Sequence, residues 1–369
     1  MGEEPPTNRI RIAVEKDIAQ AVIDCCGSNA APGGQDVCCL RGACDKWGVA
    51  GERRARHRDF GIHRSRKTRQ SRRDPMSETE QKYEYQPSRI EPDSARALSL
   101  LKSRIPNRTT RGGVPALDPI ALREISAQFA ALDITVQDMG VVPEEFDAYL
   151  RAADYGARYP AYYPFNLTEK AFEHWVSIQL LDPGSSDLLI DIASEGSALP
   201  DIVRRLRKSE CFAQDIMYEP GVHGQRIGGD ACHMPLCDGF ASKATLTCSL
   251  EHFESNGDIE LFRELGRVLQ PGGQVCVVPL YLYKEPAVQT DARYSALCDM
   301  NFDEGAAVFC ADGWGNRHGR FYSPGSLLER IMRPHASVFS FTVYQLQGTQ
   351  AISGEIYARW ALLARRLSV

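Results

Sequence analysis

Glu264-Leu-Gly-Arg-Val-Leu-Gln-Pro-Gly-Gly273 runs without a break into Gln274-Val-Cys-Val-Val-Pro-Leu-Tyr-Leu282. The first half closes a helical pattern that begins at 258. A proline then removes a backbone donor, and two glycines free the chain to turn. The second half is a continuous apolar run, the pattern of a strand buried on both faces. Helix, stop and buried strand in that order make one unit of an α/β sheet with parallel strands and covered faces.

Working outward, the same alternation recurs upstream. Residues 187–192 read as a first strand and 198–206 as its helix; 211–216 read as a second strand and 245–249 as a later one. Downstream the pattern changes. After a helix over 324–332, strands at 337–346 and 355–364 are joined by a short stretch rich in Gly and Gln, which predicts an antiparallel pair. Before the sheet, a short helix is expected over 93–103. A helix over 118–131 places Ile120, Leu122, Ile125 and Phe129 at helical spacing, with Leu132 just beyond it, and another over 143–153 carries Pro143 in its first turn. A third, over 168–181, is capped at Asn166 or Thr168, with Ala171, Trp175, Ile178 and Leu181 on one face. Between the last two lies Tyr155-Gly-Ala-Arg-Tyr-Pro-Ala-Tyr-Tyr-Pro-Phe165, an aromatic loop that either packs a helical cap onto the sheet or lines a ligand pocket.

In a doubly wound sheet the ligand sits at the carboxyl ends of the strands, where the first strand meets its helix. That turn is Asp191-Ile-Ala-Ser-Glu-Gly-Ser-Ala-Leu-Pro200. A dinucleotide site wants G-x-G-x-x-G; this turn has one glycine, Gly196, and an acid, Glu195, that repels phosphate. A cofactor with a cationic centre and no phosphate fits better.

From about 185 to 366 the chain resembles the class I S-adenosylmethionine-dependent methyltransferase family. Leu188-Leu-Ile-Asp-Ile-Ala-Ser-Glu-Gly-Ser197 lies where that family has its acidic, glycine-rich loop, and Asp215, at the end of the second strand, matches the acid that binds the ribose hydroxyls. Gly229-Asp-Ala-Cys-His-Met-Pro-Leu-Cys-Asp-Gly-Phe240 is similar to the family's G-D-A-x-x-L-P-F-x-D-G-x-F segment, where an acid such as Asp230 meets the adenine amino group and Ala231 its ring edge. Ser249-Leu-Glu-His-Phe253 resembles the segment after the fourth strand, and the opening stretch resembles the E-x-x-R-V-L-x-P-G-G signature. The resemblance implies a Rossmann-like doubly wound sheet, its antiparallel last strand inserted beside the fifth, with an N-terminal helical cap. It implies S-adenosylmethionine as cofactor, held by Asp191, Ala193, Ser194, Glu195, Gly196, Asp215, Asp230, Ala231 and Ser249, with Glu251 and His252 facing the acceptor. The family loop is D-x-G-x-G-x-G, and this chain has Ala193, Glu195 and Ser197 at the glycine positions. Glu195 could instead pair with the cofactor's ammonium or sulfonium. His252 is either a general base or a hydrogen-bonding residue. The loop Asp312-Gly-Trp-Gly-Asn-Arg-His-Gly-Arg-Phe-Tyr322 either holds an anionic or sugar-like acceptor through Trp314, Arg317, His318 and Arg320 or is a tight turn with solvated charges.

The 369 residues carry a net charge of -5, distributed unevenly. Residues 1–75 hold 15 Lys/Arg against 10 Asp/Glu, with Arg53, Arg54, Arg56, Arg58, Arg64, Arg66, Lys67, Arg69, Arg72 and Arg73 crowded around a single acid, Asp59. Such a block is expected to be disordered. It reads as a nucleic-acid arm or as an extension preceding a true start at Met76. Phe60 alone interleaves the arginines, which argues against base stacking. Cys25, Cys26, Cys38, Cys39 and Cys44 lack the C-x2-C spacing of a zinc knuckle, so no metal is assigned; the other seven cysteines are scattered and read as reduced thiols. No apolar run is long enough to span a bilayer, and the N-terminus lacks a signal-peptide pattern, which predicts a cytoplasmic protein. The expected organisation is an extension over 1–75, a helical and aromatic cap over 76–182 and a cofactor-binding domain over 183–369. The expected function is methyl transfer to a small-molecule or saccharide-like acceptor. The alternatives are an interaction protein that keeps the fold without the cofactor, and a nucleic-acid-modifying enzyme using the arginine-rich arm. The acceptor and the oligomeric state are not legible.

Overall fold

The computed structural model describes residues 93–298 and 300–368, which belong to one compact unit. The arginine-rich segment, its five cysteines and Met76 lie outside the described residues. Among the described residues no helix is long and apolar enough to cross a membrane, and no group of three or more His, Cys, Asp or Glu is placed to hold a metal.

The chain opens with α1 (Ser94–Arg104), started by Asp93, whose carboxylate accepts the Arg96 amide at 2.9 Å. After β1 (Thr109–Arg111), α2 (Pro119–Ala131) has proline in its first turn and Asp118 as N-cap, accepting from the Ile120 and Ala121 amides. β2 (Val136–Gly140), α3 (Pro143–Ala153) and the single turn α4 (Tyr155–Arg158) lead to α5 (Leu167–Leu181). Asn166 precedes α5 without a side-chain cap bond. The sheet units follow: β3 (Leu188–Ile192), α6 (Leu199–Arg207), β4 (Glu210–Asp215), a hairpin of β5 (Gly221–His223) and β6 (Arg226–Gly228), β7 (Ala241–Thr247), α7 (Gly257–Val268) and β8 (Leu269–Val278). Then come β9 (Ala287–Thr290), α8 (Ala292–Ser295), β10 (Ala307–Cys310), β11 (Gly319–Phe321), α9 (Pro324–Leu327), β12 (Phe339–Gln347) and β13 (Trp360–Arg366).

The large sheet has the order β2-β12-β13-β8-β7-β3-β4-β6-β5. β8, β7, β3, β4 and β6 are mutually parallel, and β13 lies antiparallel between β8 and β12. Alternate residues of each strand enter opposite apolar layers: Ile190, Ile192, Val275, Val277, Trp360 and Leu362 on one face, Leu189, Cys276, Val278 and Ala361 on the other. Both faces are therefore dry, as the unbroken apolar runs require.

The opening stretch differs from expectation in one respect. β8 already pairs with β7 at Leu269, opposite Ala241, and bulges across Pro271-Gly-Gly273 before Gln274 takes its place opposite Lys243. Gly272 sits at φ +80°, and a Cβ on Gly273 would lie 2.8 Å from the Gln270 carbonyl oxygen. The glycine pair thus serves a bulge pressed against the neighbouring backbone.

A second sheet, β1-β10-β9-β11, is absent from the expectations because its strands have only three or four residues, too few for a period to register. Arg320 on β11 fastens this sheet to the larger one. Its guanidinium is almost fully buried, donates to both Asp303 oxygens at 2.6 and 2.9 Å and to the Phe253 and Ser255 carbonyls, and lies 3.2 Å from Asp258. Asp258 also accepts from Tyr322 at 2.7 Å and from Arg330 at 2.6 and 2.9 Å. Burial works to raise the Asp303 carboxyl, and Arg320 outweighs it, holding the group below the usual carboxylate range.

Two substitutions check these constraints by chemical denaturation. Arg320→Leu takes the guanidinium partner from Asp303 and leaves Asp258 with Arg330 and Tyr322 alone, and should cost about 3–5 kcal/mol. Gly273→Ala should cost about 1–3 kcal/mol by forcing the bulge open, whereas Gly305→Ala, with nothing within 4 Å of its Cβ, carries only the strain of its own φ of +75°.

Candidate functional site

The parallel strands end side by side, and the site begins where β3 stops. Ala193 leaves the strand at φ +54° and Gly196 follows at +71°. Alanine in this left-handed region costs roughly 1–2 kcal/mol, so something must hold it. The end of β4 does so: the Ser194 amide donates to the Gln214 carbonyl at 2.9 Å, the Ala193 amide to Gln214 Oε1 at 3.4 Å, and the Glu195 amide to Asp215 Oδ2 at 2.9 Å. Asp215 Oδ1 accepts the Met217 amide at 2.8 Å. Each oxygen of the Asp215 carboxylate therefore has one backbone donor and a further lone pair. Beside it, Ile216 is 70% exposed and Met217 is 45% exposed, an apolar flank at a strand end where such side chains would ordinarily be covered.

Asp191 is fully buried at the end of β3. Oδ2 accepts Ser194 Oγ at 2.8 Å, while Oδ1 has no hydrogen-bond partner among the described residues. Burial pushes its carboxyl up from 3.8 to about 7, against the Ser194 and Ser197 hydroxyls, which pull it down. Ser249 donates to the Ile192 carbonyl at 3.4 Å, tying the ends of β7 and β3 together. Gln214 Nε2 donates to the Gly229 carbonyl at 2.6 Å and so draws in the turn that carries Asp230 and Ala231. The Asp230 carboxylate caps that turn through the Cys232 amide at 2.9 Å, lies 3.9 Å from His233 Nδ1 and is largely exposed; Ala231 is buried.

Past Ser249, the short turn Leu250–His252 brings Glu251 and His252 to the wall of a cavity of about 500 Å³ at the ends of β7 and β8. Its floor is Cys248, Leu280, Tyr281 and Trp360; its roof is Val114, Leu117, Trp314 and Phe321, from the segment after β1 and from the second sheet with its loops. His252 Nδ1 lies 2.6 Å from the His318 carbonyl, and since a carbonyl only accepts, Nδ1 carries the hydrogen and Nε2 the lone pair of the neutral ring. Nε2 faces Glu251 Oε1 at 3.5 Å. Glu251 is 4% exposed, and its Oε2 has no hydrogen-bond partner among the described residues. His318, also buried, donates through Nδ1 to the Glu251 carbonyl at 2.9 Å; burial holds its ring at about 4, hence neutral.

The aromatic loop packs inward on one side and borders a cleft on the other. Tyr149, Tyr155, His174 and Tyr162 form a chain of hydrogen bonds of 2.7, 2.7 and 3.0 Å, with His174 neutral because burial lowers it to about 3. On its other side the loop faces Glu195 and Gly196 across an open cleft of about 660 Å³ lined by Tyr159, Tyr162 and Tyr163. The loop 312–322 divides differently from expectation. Trp314 and Asn316 line the cavity, whereas Arg317 is bound to Glu254, and His318 and Arg320 are buried in the interior. Its cations are spent on the protein.

Sequence reasoning missed a polar cluster on α5. Glu169, Lys170, Glu173 and His174 are all buried. Lys170 Nζ bonds both Glu173 oxygens at 3.0 and 3.1 Å; burial works to strip its proton, and Glu173 more than offsets this, so the ammonium persists. Glu169 accepts the Tyr357 and Ala358 amides at 2.8 and 3.2 Å, fixing the cavity wall next to β13. Charged residues three apart on a helix ordinarily mark a solvated face; here only the packing of α5 between sheet and outer helices reverses that meaning.

No family model and no curated protein matches this sequence. Among solved structures the chain is similar to the 1,6-didemethyltoxoflavin-N1-methyltransferase of Burkholderia thailandensis, solved with 1,6-didemethyltoxoflavin and S-adenosylhomocysteine bound: 12% identity, TM-score 0.39, covering 64% of this chain and 94% of that one. It is also similar to the YcgJ protein of Bacillus subtilis, at 13% identity and TM-score 0.35 over 54% of this chain and 99% of that one. A third is the geranyl diphosphate C-methyltransferase of Streptomyces coelicolor A3(2), at 12% identity and TM-score 0.31 over 54% and 78%. With every one of these TM-scores below 0.5, the fold rests on strand order. Five parallel strands in the order β6-β4-β3-β7-β8, followed by the last strand of the chain inserted antiparallel beside the fifth, make this the class I methyltransferase fold.

Proposed function

We propose that the chain binds S-adenosylmethionine in the crevice formed by residues 191–196, Asp215–Met217, Asp230–Ala231 and Ser249, and transfers its methyl group to a small molecule held in the adjoining cavity. The observation that carries this reading is the adjacency itself. One short turn, Ser249 to His252, links the crevice to a ring-walled cavity of about 500 Å³.

The crevice residues fit the cofactor. The free lone pairs on Asp215 suit a ribose diol. The exposed flank of Ile216 and Met217 suits one face of an adenine ring. The Glu195 carboxylate favours an ammonium or sulfonium and disfavours phosphate, and the unpartnered Asp191 Oδ1 offers a further acceptor whose ionisation a nearby cation would favour. Bound there, S-adenosylmethionine supplies a methyl group on a cationic sulfur.

The protein's share is placement and proton handling. The cavity walls hold the acceptor against the crevice; alignment alone can account for much of the barrier lowering. His252 Nε2, its lone pair fixed by the bond from Nδ1 to the His318 carbonyl, can take the proton that the acceptor sheds, and Glu251 at 3.5 Å steadies the resulting imidazolium. The alternative, a fold retained only for interaction, drew on the missing glycines. Ala193 in the left-handed conformation, pinned by β4, weakens that argument.

Calorimetric titration of S-adenosylmethionine and S-adenosylhomocysteine into the full chain, with NAD and ATP as controls, tests the reading. Micromolar binding of the adenosyl pair alone is expected, and absence of binding by the folded chain would leave the interaction role. Asp215→Ala should weaken S-adenosylhomocysteine at least about tenfold, and should lower Tm as well, because it releases the Glu195 and Met217 amides.

Asp191 gives a prediction in pH. Its folded-state carboxyl is raised from 3.8 to about 7, so the folded chain binds the proton more tightly than the unfolded chain does. The associated stability is complete below about pH 4 and is lost as pH rises through 7. Asp191→Asn should therefore flatten the fall in Tm between pH 5 and 8 and leave the variant more stable than the parent at pH 8 without ligand. A parallel fall in both proteins would contradict the assignment.

A further inference from the structure

The cavity wall is unevenly charged. Trp314, Tyr281, Phe321, Tyr357 and Trp360 line it, with Tyr281 at 5.1 Å from Phe321 and 6.2 Å from Tyr357, ring centre to ring centre. Among its charged residues Arg359 directs Nη1 to Thr349 Oγ1 and to the Ile356 and Ala358 carbonyls, and lies in the field of Glu169. Arg317 and Arg320, the cations nearest the roof in sequence, are tied to Glu254, Asp303 and Asp258. Glu251 is the opposite case: a carboxylate more than nine-tenths buried, on the cavity wall, with one oxygen unpartnered among the described residues. A buried carboxylate oxygen without a donor is costly unless a ligand supplies one. Rotation about its last side-chain bond, a soft two-fold torsion, presents either oxygen to the cavity.

We propose that the cavity selects an acceptor carrying a basic nitrogen on an aromatic or similarly flat body, with the N–H of that nitrogen bonded to the Glu251 carboxylate and the body laid against the rings of Trp314 and Tyr281. A carboxylate set among aromatic faces attracts a cation twice, through charge-assisted hydrogen bonding and through the ring quadrupoles. The same set disfavours an anionic acceptor, since the guanidinium that lines the wall, that of Arg359, commits its Nη1 to Thr349 and two backbone carbonyls. The inference deepens the methyl-transfer reading and rests on it for the word acceptor; the binding preference itself does not depend on the cofactor.

The test uses three probes of nearly one shape: tyramine, p-cresol and 4-hydroxyphenylacetate, titrated into the full chain with and without saturating S-adenosylhomocysteine and followed by ligand-observed NMR. Tyramine should bind at least about tenfold more tightly than p-cresol, and 4-hydroxyphenylacetate most weakly. In Glu251→Gln the tyramine advantage should shrink to about twofold while S-adenosylhomocysteine affinity is retained. Equal binding of the three probes, failure of tyramine to bind, or an advantage that survives Glu251→Gln overturns the proposal. The ranking in the parent chain stands even if the variant fails to fold. Loss of S-adenosylhomocysteine binding in the parent chain, with the tyramine preference intact, would instead refute the methyl-transfer reading and leave a site for amines.

Discussion

The parallel hydrogen-bond ladder that joins β3 to β4 on one side and to β7 on the other is the constraint on which the rest of the molecule depends. It sets Ile192 beside Gln214 and Leu246, so that three chain segments leave the sheet at one level. The loop after β3, the acid after β4 and the turn after β7 then have to share one crevice. A slip of one residue in β4 would turn Asp215 to the opposite face and release the Glu195 amide. Positioning of the site is therefore a property of strand register before it is a property of any loop.

The second dependence is electrostatic. The cavity roof comes partly from the small sheet, whose own apolar cluster is modest: Ala97, Leu101, Ala292, Ala296, Val308 and Cys310 at its centre. What keeps it seated over the large sheet is the Arg320 and Arg330 network around Asp258 and Asp303. Buried ion pairs contribute little net stability compared with apolar packing, but they tolerate few alternative geometries. A roof fixed in this way has a defined height, and a cavity of defined height discriminates by shape.

Legibility followed length and burial. Strands β3 and β8 could be read from the sequence as apolar runs, and parts of β4, β7, β12 and β13 as shorter strand-like segments between turn residues; α2, α3 and α5 were legible because their starts carry proline or a cap candidate. Boundaries shifted where tertiary pairing overrode local pattern: β8 starts at Leu269 because β7 recruits it before the proline, and β13 starts only at Trp360 because the residues before it give their amides to Glu169. The small sheet was illegible, its strands being held by partners distant in sequence. Of the candidate site, the acids at strand ends were picked out by the family resemblance. Glu169, Lys170, Glu173 and His174 were not, because a residue's environment on α5 depends on what covers the helix, and that cover, α3 and the aromatic loop, is itself assembled only in the fold.

Ala193 leads one step further. Where the family pattern has a glycine free to adopt the left-handed region, this chain has a side chain that resists it, and the conformation is imposed from the neighbouring strand by Gln214 and Asp215. The information specifying the loop has thus migrated from the loop to its neighbour. In a mutational scan, tolerance at 193 should accompany intolerance at 214 and 215, the reverse of what a glycine-encoded loop would give. A search keyed to glycines at 193, 195 and 197 passes over such a chain.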